Sequence, residues 1–214
     1  GASLVTARSI AADRRVRGWT SPGEGRTIIR MTNDRIGRVR KLAIGIAALA
    51  LTGPLAAALP QGGKAPTFST TGALAGESFA FNLRRELGKG PVVLYFFPKA
   101  FTQGCTLEAN AFAEAMDEFK AAGAEVVGLS ADDIDTLKRF STEECRDAFP
   151  VAHASAAVIE AYDVNFARNG EDTGLSDRTS YVIASDGRIV MVHSDLDWRE
   201  HVKRTLAAVK ALKS

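Results

Sequence analysis

The side chains with the widest chemical range in this 214-residue chain are two cysteines and three histidines: Cys105, Cys145, His153, His193 and His201. No C-x-x-C pair is present, which argues against a dithiol-exchange site, and no Cys/His spacing suits a structural zinc ion. Two cysteines can form one disulfide, or one can be a reactive thiol and the other a bystander. We expect the histidines to be structural or exposed, and we expect no metal site.

Cys105 differs from Cys145 in its surroundings. The continuous apolar run at 92–97, VVLYFF, predicts a strand that is covered on both faces. Residues 105–122 then predict a helix with one apolar face, ended by Gly123. Cys105 therefore falls in the first turn of a helix, where backbone N–H groups stabilise an anion. Since the thiolate is the nucleophilic form of cysteine, this position predicts an activated thiol.

The rest of the body alternates strands and helices. Hydrophobic patterning, Gly and Pro predict a hairpin (67–70 and 78–83), a buried strand (124–130), two helices (132–145 and 155–162), a loop (163–178), a second hairpin (180–184 and 188–193) and a last helix (197–212). This order predicts an α/β domain with a mixed central sheet and helices on both faces, which is the thioredoxin-like fold.

Charge separates the chain into two parts. Residues 1–59 hold ten Lys/Arg and three Asp/Glu, whereas residues 60–214 hold 17 and 22. The body is therefore mildly acidic and has no basic stripe, so we expect no nucleic-acid partner. The chain is long enough for one ordinary domain, assigned to 65–214, plus an extension.

The extension has two segments of different composition. Residues 1–30 are rich in Arg, Gly and Ser, and Met31 is the first methionine. We interpret 1–30 as a non-native leader that precedes the true start, or as a disordered basic leader.

Residues 31–59 have the layout of an export signal. A basic patch precedes an apolar run at 42–60, and small residues cluster at 56–58, as a cleavage site requires. This pattern predicts a signal peptide and a periplasmic or secreted protein. An uncleaved inner-membrane anchor is the alternative, because about 20 residues span a bilayer. A buried core helix is a third interpretation, and a misread leader would leave the protein cytoplasmic.

The segment around Cys105 resembles a known family. Pro98-x-x-x-Thr102-x-x-Cys105-x-x-Glu108 matches the P-x-x-x-T/S-x-x-C-x-x-E signature of peroxiredoxins, and its neighbourhood looks most like the bacterioferritin comigratory protein (peroxiredoxin Q) branch. Further similar segments, which extend the resemblance over about 65–212, are VVGLSADD (126–133), FPV (149–151), the run from Arg178 and SDGRI (185–189).

The resemblance implies a thiol peroxidase without a cofactor. Cys105 would attack a peroxide and become a sulfenic acid. Thr102 would place its hydroxyl by the thiolate and the peroxide, Pro98 would shield the pocket from water, and Arg178 would stabilise the thiolate and the breaking bond. Glu108 would hold an arginine in position.

Simpler structural roles stay open for three of these residues. Thr102 could be only a helix cap, Pro98 only a strand terminator and Arg178 only a surface charge. The family also implies thioredoxin or another thiol as reductant, and the protein could be a monomer or a homodimer.

The chain departs from the branch in its second cysteine. Many members carry a resolving cysteine five residues after the first, where this chain has Asn110. Cys145 is then the possible resolving cysteine; otherwise the enzyme uses one cysteine and an external thiol. Phe101 also makes the pocket rim more apolar, which favours organic hydroperoxides.

Two other functions compete with peroxide turnover. A thiol-based redox sensor or chaperone could use the same sulfenic acid but would stop after one equivalent of oxidant. A copper-delivery protein would need C-x-x-x-C, and residue 109 is Ala.

Overall fold

The computed structural model describes residues 58–213. The predictions for the leader (1–30) and for nearly all of the export or anchor segment (31–59) therefore lie outside the described residues. Within the described part of the chain, no helix is long and apolar enough to cross a membrane.

Nine strands and five α-helices form within residues 58–213. The strands are β1 (Ser69–Leu74), β2 (Glu77–Asn82), β3 (Val92–Phe96), β4 (Glu125–Ser130), β5 (Val151–His153), β6 (Asn165–Arg168), β7 (Glu171–Ser176), β8 (Thr179–Ile183) and β9 (Ile189–Ser194). The helices are α1 (Leu83–Leu87), α2 (Gln103–Ala121), α3 (Ile134–Glu143), α4 (Ala156–Ala161) and α5 (His201–Ala211), and a 3-10 turn at Trp198–Glu200 precedes α5.

Seven of these strands make one mixed sheet in the order β2-β1-β5-β4-β3-β8-β9. Strands β3, β4 and β5 are parallel, whereas the β1–β2, β1–β5, β3–β8 and β8–β9 pairs are antiparallel. Strand β3 lies between β4 and β8, and all five of its residues are buried. Its apolar run is continuous because helices cover both faces of the sheet.

Successive residues of β3 face opposite layers of the core. Val93 and Tyr95 pack in a cluster with apolar residues of α2, α3 and α5. Leu94 and Phe96 pack in a second cluster with apolar residues of α1 and α4. The predicted mixed sheet with helices on both faces is confirmed.

The predicted loop at 163–178 is wrong, because it contains the two-stranded hairpin of β6 and β7. Most residues of these strands are exposed, so the sequence there lacks the apolar alternation that marks a half-buried strand. Residues 61–64 lie along β9, where the N–H of Gly62 donates to the carbonyl of Ile189 at 2.8 Å. Helix α3 ends at Glu143, so Cys145 lies in the following turn rather than in the predicted helix.

Gly128 of β4 makes room for a ring that supports α2. It pairs with Tyr95 of β3, and a Cβ at position 128 would lie 2.7 Å from the Cζ and hydroxyl of Tyr95. The Tyr95 ring is fully buried and stacks on Phe112 of α2, with centroids 4.4 Å apart. The ring therefore has no free space into which it could retreat.

We expect Gly128→Ala to lower the free energy of unfolding by about 1–3 kcal/mol, because a close-packed core resists an added methyl group. Gly72→Ala is the matched control: its Cβ would also meet a ring, that of Phe79, at 2.8 Å, but Phe79 is partly exposed and can move. Urea unfolding of both variants measures the difference. Equal losses would contradict the importance of the Tyr95 stack.

Candidate active site

Cys105 is the third residue of α2 and is 1% exposed. Its position follows from the buried strand β3, which ends at Phe96 and leads through a short loop into the helix. The N–H groups of the first helical turn have no partner within the helix and favour an anion. The predicted helix start is thus confirmed, two residues earlier than expected.

Arg178 lies directly before β8 and is 5% exposed, so it is not the surface charge that was one interpretation of it. Its Nη2 donates to the Sγ of Cys105 at 3.4 Å, and its Nη1 donates to Glu108. Its Nε donates to the carbonyl of Leu196 at 2.9 Å, which fixes the plane of the guanidinium. Burial by itself lowers the pKa of Arg178, but Glu108 and Cys105 outweigh this and raise it, so the side chain stays charged.

The pairing of β8 with β3 brings Arg178 to Cys105 across 73 residues of sequence. Thr179 stands opposite Phe96 in the antiparallel register, so Arg178 comes level with the end of β3, where the loop to α2 begins. Gly104 leaves space for it, because a Cβ there would lie 3.1 Å from Nη2. Sequence reasoning missed this role of Gly104.

Glu108, one turn after Cys105, is fully buried and forms an ion pair with Arg178. The expectation that it holds an arginine agrees with this contact. Burial raises the pKa of Glu108 to about 8, against the opposite effect of Arg178. Burial therefore favours the neutral form of this carboxyl group, whereas the contact with Arg178 favours the charged form.

Thr102 and Pro98 lie in the loop before α2. Thr102 occupies the N-cap position, but its side chain makes no capping bond; its hydroxyl donates instead to the carbonyl of Lys99 at 2.9 Å. Capping alone does not account for this residue. Pro98 is partly exposed at the end of the strand, next to the loop whose shape it restricts.

Asp132, which the sequence did not single out, holds this loop. Its Oδ2 accepts from the N–H of Ala100 at 2.7 Å and from the hydroxyl of Ser130 at 2.8 Å. The next residue, Phe101, has a left-handed backbone with φ of 61° and packs edge-on against Phe140. Because that conformation is unfavourable for a residue other than glycine, the loop needs the hydrogen bonds of Asp132 to hold it in place.

His201 was expected to be structural or exposed, and it is fully buried beside Glu108. Its Nδ1 lies 2.8 Å from the Ser180 hydroxyl and 3.6 Å from the Oε1 of Glu108. Burial lowers the pKa of His201 to about 4, so the ring is neutral at pH 7. The local sequence carried no signal of this contact, because Glu108 belongs to a different helix, far away in the chain.

Cys145 is completely buried and, like Cys105, is a free thiol. The two side chains belong to the same apolar cluster, which also contains Tyr95. Burial raises the pKa of the Cys145 thiol, so this group is not ionised in the folded protein. Among residues 58–213 no cluster of His, Cys, Asp or Glu is arranged to hold a metal ion.

The shifted pKa values of Glu108 and His201 predict that the free energy of unfolding falls by about 2 kcal/mol between pH 6.5 and pH 8. The contribution of Glu108 is complete below its unfolded pKa of 4.5 and disappears as pH rises to about 8. That of His201 is present above 6.5 and disappears as pH falls to about 4, so the two cancel between 4.5 and 6.5.

Urea unfolding of the reduced protein at pH 6.5 and pH 8 measures this loss. Glu108→Gln should abolish it, whereas Glu114→Gln, which changes an exposed glutamate of the same helix, should retain it. The same loss in both variants would contradict the assignment to Glu108.

Known proteins resemble this chain in sequence and in structure. The AhpC/TSA family model matches residues 61–192. Peroxiredoxin Bcp of Escherichia coli is 34% identical over 112 residues, which are 51% of this chain and 72% of that protein.

Two solved structures share the fold. Peroxidoxin BcpB from Mycobacterium tuberculosis has a TM-score of 0.65 at 29% identity, over 73% of this chain and 99% of that one. A bacterioferritin comigratory protein of Xanthomonas campestris has a TM-score of 0.59 at 28% identity, over 67% and 92%. The thioredoxin-like fold is thereby confirmed. The chain belongs to the AhpC/TSA family, and it is a peroxiredoxin, a thiol-dependent peroxidase that reduces peroxides.

Proposed function

We propose that this peroxiredoxin reduces hydrogen peroxide and organic hydroperoxides at Cys105. The observation that carries the proposal is the contact of 3.4 Å between the Arg178 guanidinium and the Cys105 sulfur, in the first turn of α2. A permanent cation and a helix N-terminus together favour the thiolate at this one position.

The reaction transfers one oxygen atom to sulfur. The thiolate attacks the terminal oxygen of ROOH, the oxygen–oxygen bond breaks, and Cys105 becomes a sulfenic acid that keeps the hydroperoxide proton. The RO⁻ that leaves takes a proton from solvent and departs as ROH, which is water when the substrate is hydrogen peroxide. As negative charge passes from sulfur to the leaving oxygen, Arg178 can stabilise both positions without moving.

Thr102 and Pro98 would complete the pocket. Because the Thr102 hydroxyl donates its own proton to the carbonyl of Lys99, its lone pairs would stay available to accept the proton of a hydroperoxide. Pro98 offers no N–H, so it cannot recruit water to the strand end.

Organic hydroperoxides fit an apolar rim. Phe101 is half-buried in the loop just before α2. The centroid of its ring lies 5.0 Å from the guanidinium carbon of Arg139. The similar Xanthomonas campestris protein was studied for alkyl peroxide reduction activity. Both observations support alkyl hydroperoxides as substrates beside hydrogen peroxide.

We expect Cys105→Ser to abolish peroxide consumption, because serine supplies no thiolate. Arg178→Lys should lower kcat/KM for peroxide by about 100-fold, since lysine keeps the charge but loses the planar donor fork. Arg188→Lys is the control, because Arg188 is exposed and its guanidinium pairs with Asp186 at 2.8 Å, away from Cys105. Stopped-flow measurement of peroxide consumption gives all three values. Turnover by Cys105→Ser would disprove the proposal.

Cys145 would resolve the sulfenic acid by forming a disulfide with Cys105 and releasing water. Asn110 lies five residues after Cys105, about 7.5 Å along the helix axis. Its amide contacts Glu144 at 3.3 Å, which places the Cys145 segment beside the first turns of α2. The disulfide needs the α-carbons of Cys105 and Cys145 within about 7 Å of each other and their sulfur atoms in contact.

The turn after Cys145 is the segment suited to move. Arg146 and Asp147 have left-handed φ values of 53° and 56°, which cost about 1 kcal/mol each for non-glycine residues. Both side chains are exposed. Local opening of this turn relieves the strain and brings the Cys145 thiol into water, where its pKa returns to the ordinary range.

Oxidation of the reduced protein with one equivalent of peroxide should yield a peptide that joins Cys105 to Cys145, detected by mass spectrometry. Cys145→Ser should instead accumulate the sulfenic acid and, with a thiol present, a mixed disulfide. If the unaltered protein also gives only these products, resolution occurs by an external thiol, and Cys145 is a buried core residue.

The reductant and the location belong to the same proposal. A Cys105–Cys145 disulfide suits a dithiol reductant such as thioredoxin, acting on a monomer or a homodimer. If the segment at 31–59 directs export, the reducing equivalents must be delivered to an oxidising compartment.

A further inference from the structure

The loop between β3 and α2 is held at both ends by hydrogen bonds to its backbone. At its start the N–H of Phe97 donates to the carbonyl of Leu129 at 2.9 Å, and the carbonyl of Phe97 accepts from the buried Ser176 hydroxyl at 2.9 Å. At its end the carbonyl of Thr102 accepts from the N–H of Thr106 in α2 at 2.9 Å. The peptide groups between these two ends depend on other contacts.

Asp132 and Thr102 contact opposite ends of one such peptide group. The carbonyl of Lys99 and the N–H of Ala100 belong to the same planar trans amide, in which they point in opposite directions. The Oδ2 of Asp132 accepts from this N–H at 2.7 Å, while the hydroxyl of Thr102 donates to this carbonyl at 2.9 Å. The orientation that Asp132 gives to the peptide group therefore also sets the direction in which the Thr102 hydroxyl donates.

The carboxylate of Asp132 is itself held in place by the sheet. Its Oδ2 accepts from the Ser130 hydroxyl at 2.8 Å, and the Oγ of Ser130 accepts from the N–H of Asp132 at 3.2 Å. Ser130 is fully buried at the end of β4, the strand beside β3. The backbone carbonyl of Asp132 lies 3.0 Å from the Nδ1 of His153 in β5. Two strands thus fix the position of the acceptor.

The charge of Asp132 strengthens the bond that Thr102 makes. Hydrogen bonds to a charged acceptor are about twice as strong as those to a neutral one, and linked hydrogen bonds polarise one another. Polarisation of the peptide group by Asp132 makes the Lys99 carbonyl a better acceptor for the Thr102 hydroxyl. With its hydrogen committed to that carbonyl, the Thr102 oxygen offers only lone pairs to a peroxide.

We propose that Asp132 is a positioning residue of the peroxidase site: through the Lys99–Ala100 peptide group it keeps the Thr102 hydroxyl in the orientation that accepts a hydrogen bond from the hydroperoxide. The hydroperoxide proton stays on its oxygen in this contact. The inference rests on the function proposed above for Cys105 and Thr102.

The Cys105 thiolate has separate supports. Its sulfur accepts from Arg178 and lies in the first turn of α2. The guanidinium of Arg178 is held in turn by Glu108 and by the carbonyl of Leu196, and neither contact includes the Lys99–Ala100 peptide group. The formation of the thiolate and the acceptance of the peroxide can therefore be measured apart.

Two reactions of Cys105 separate these two tasks. Iodoacetamide alkylates the thiolate but carries no hydroperoxide group, whereas hydrogen peroxide needs the acceptor. In the full chain, with Cys145→Ser as background so that one thiol reacts, we expect Asp132→Ala to lower the second-order rate constant with hydrogen peroxide about tenfold, which corresponds to the loss of one ordinary hydrogen bond. The rate constant with iodoacetamide and its pH profile should stay unchanged.

Asp133→Ala is the matched control for this variant. It removes the neighbouring carboxylate, which is exposed and caps α3 by accepting from the N–H of Thr136 at 2.8 Å. Both rate constants should be retained. Asp132→Asn keeps an oxygen that can accept from Ala100 but loses the charge, so we expect a loss of only about threefold with hydrogen peroxide.

A double-variant cycle tests whether Asp132 acts through Thr102. Thr102→Val should lower the rate constant with hydrogen peroxide at least as much as Asp132→Ala does. The double variant should be no slower than Thr102→Val alone, because the acceptor that Asp132 orients is already absent. If circular dichroism shows that Asp132→Ala does not fold, Asp132→Asn takes its place in the cycle.

Four outcomes would overturn the role of Asp132: an equal fall of both rate constants in Asp132→Ala, an unchanged rate with hydrogen peroxide in that variant, the same fall in Asp133→Ala, or losses that add in the double variant. If Thr102→Val is slow while Asp132→Ala is normal, only the role of Asp132 fails. Peroxide consumption by Cys105→Ser would instead contradict the proposed function itself.

Discussion

The interaction on which the site depends is the contact of one buried guanidinium with a thiol and a carboxyl group. Arg178 donates to Cys105, to Glu108 and to a backbone carbonyl, so each of its three guanidinium nitrogens makes a contact. A buried cation is tolerated only with such partners, and the partners in turn hold it in one orientation. Arg178, Glu108 and Cys105 therefore stabilise one another in the core.

The rest of the fold serves to bring that cation and that thiol together. Strand β3 is buried between β4 and β8 and leads at its end into the loop that contains Pro98 and Thr102. Arg178 directly precedes β8 and lies at the same edge of the sheet. The stack of Tyr95 on Phe112 joins β3 to α2 and fixes the helix that carries Cys105. The packing of the core and the position of Cys105 therefore depend on the same contacts.

The two cysteines occupy environments of opposite character. Cys105 lies at a helix start with a cation beside it, whereas Cys145 lies in an apolar cluster at a turn with two left-handed residues. The first environment favours an anion, whereas burial in the second raises the pKa of the Cys145 thiol and keeps it neutral. This division suits an enzyme in which one thiol reacts in the folded state and the other becomes available only by local movement.

The sequence by itself determined the features that depend on neighbouring residues: the apolar run of β3, the helix that follows it, the second hairpin, and the signature from Pro98 to Glu108. Exposed elements such as β6 and β7 escaped prediction because no apolar face marks them. The tertiary structure alone decided that His201 is buried against Glu108, that Gly104 makes room for a guanidinium, and that Asp132 holds the loop before α2. These roles arise from contacts between residues far apart in the chain, and the local pattern around each one is that of an ordinary surface or turn residue.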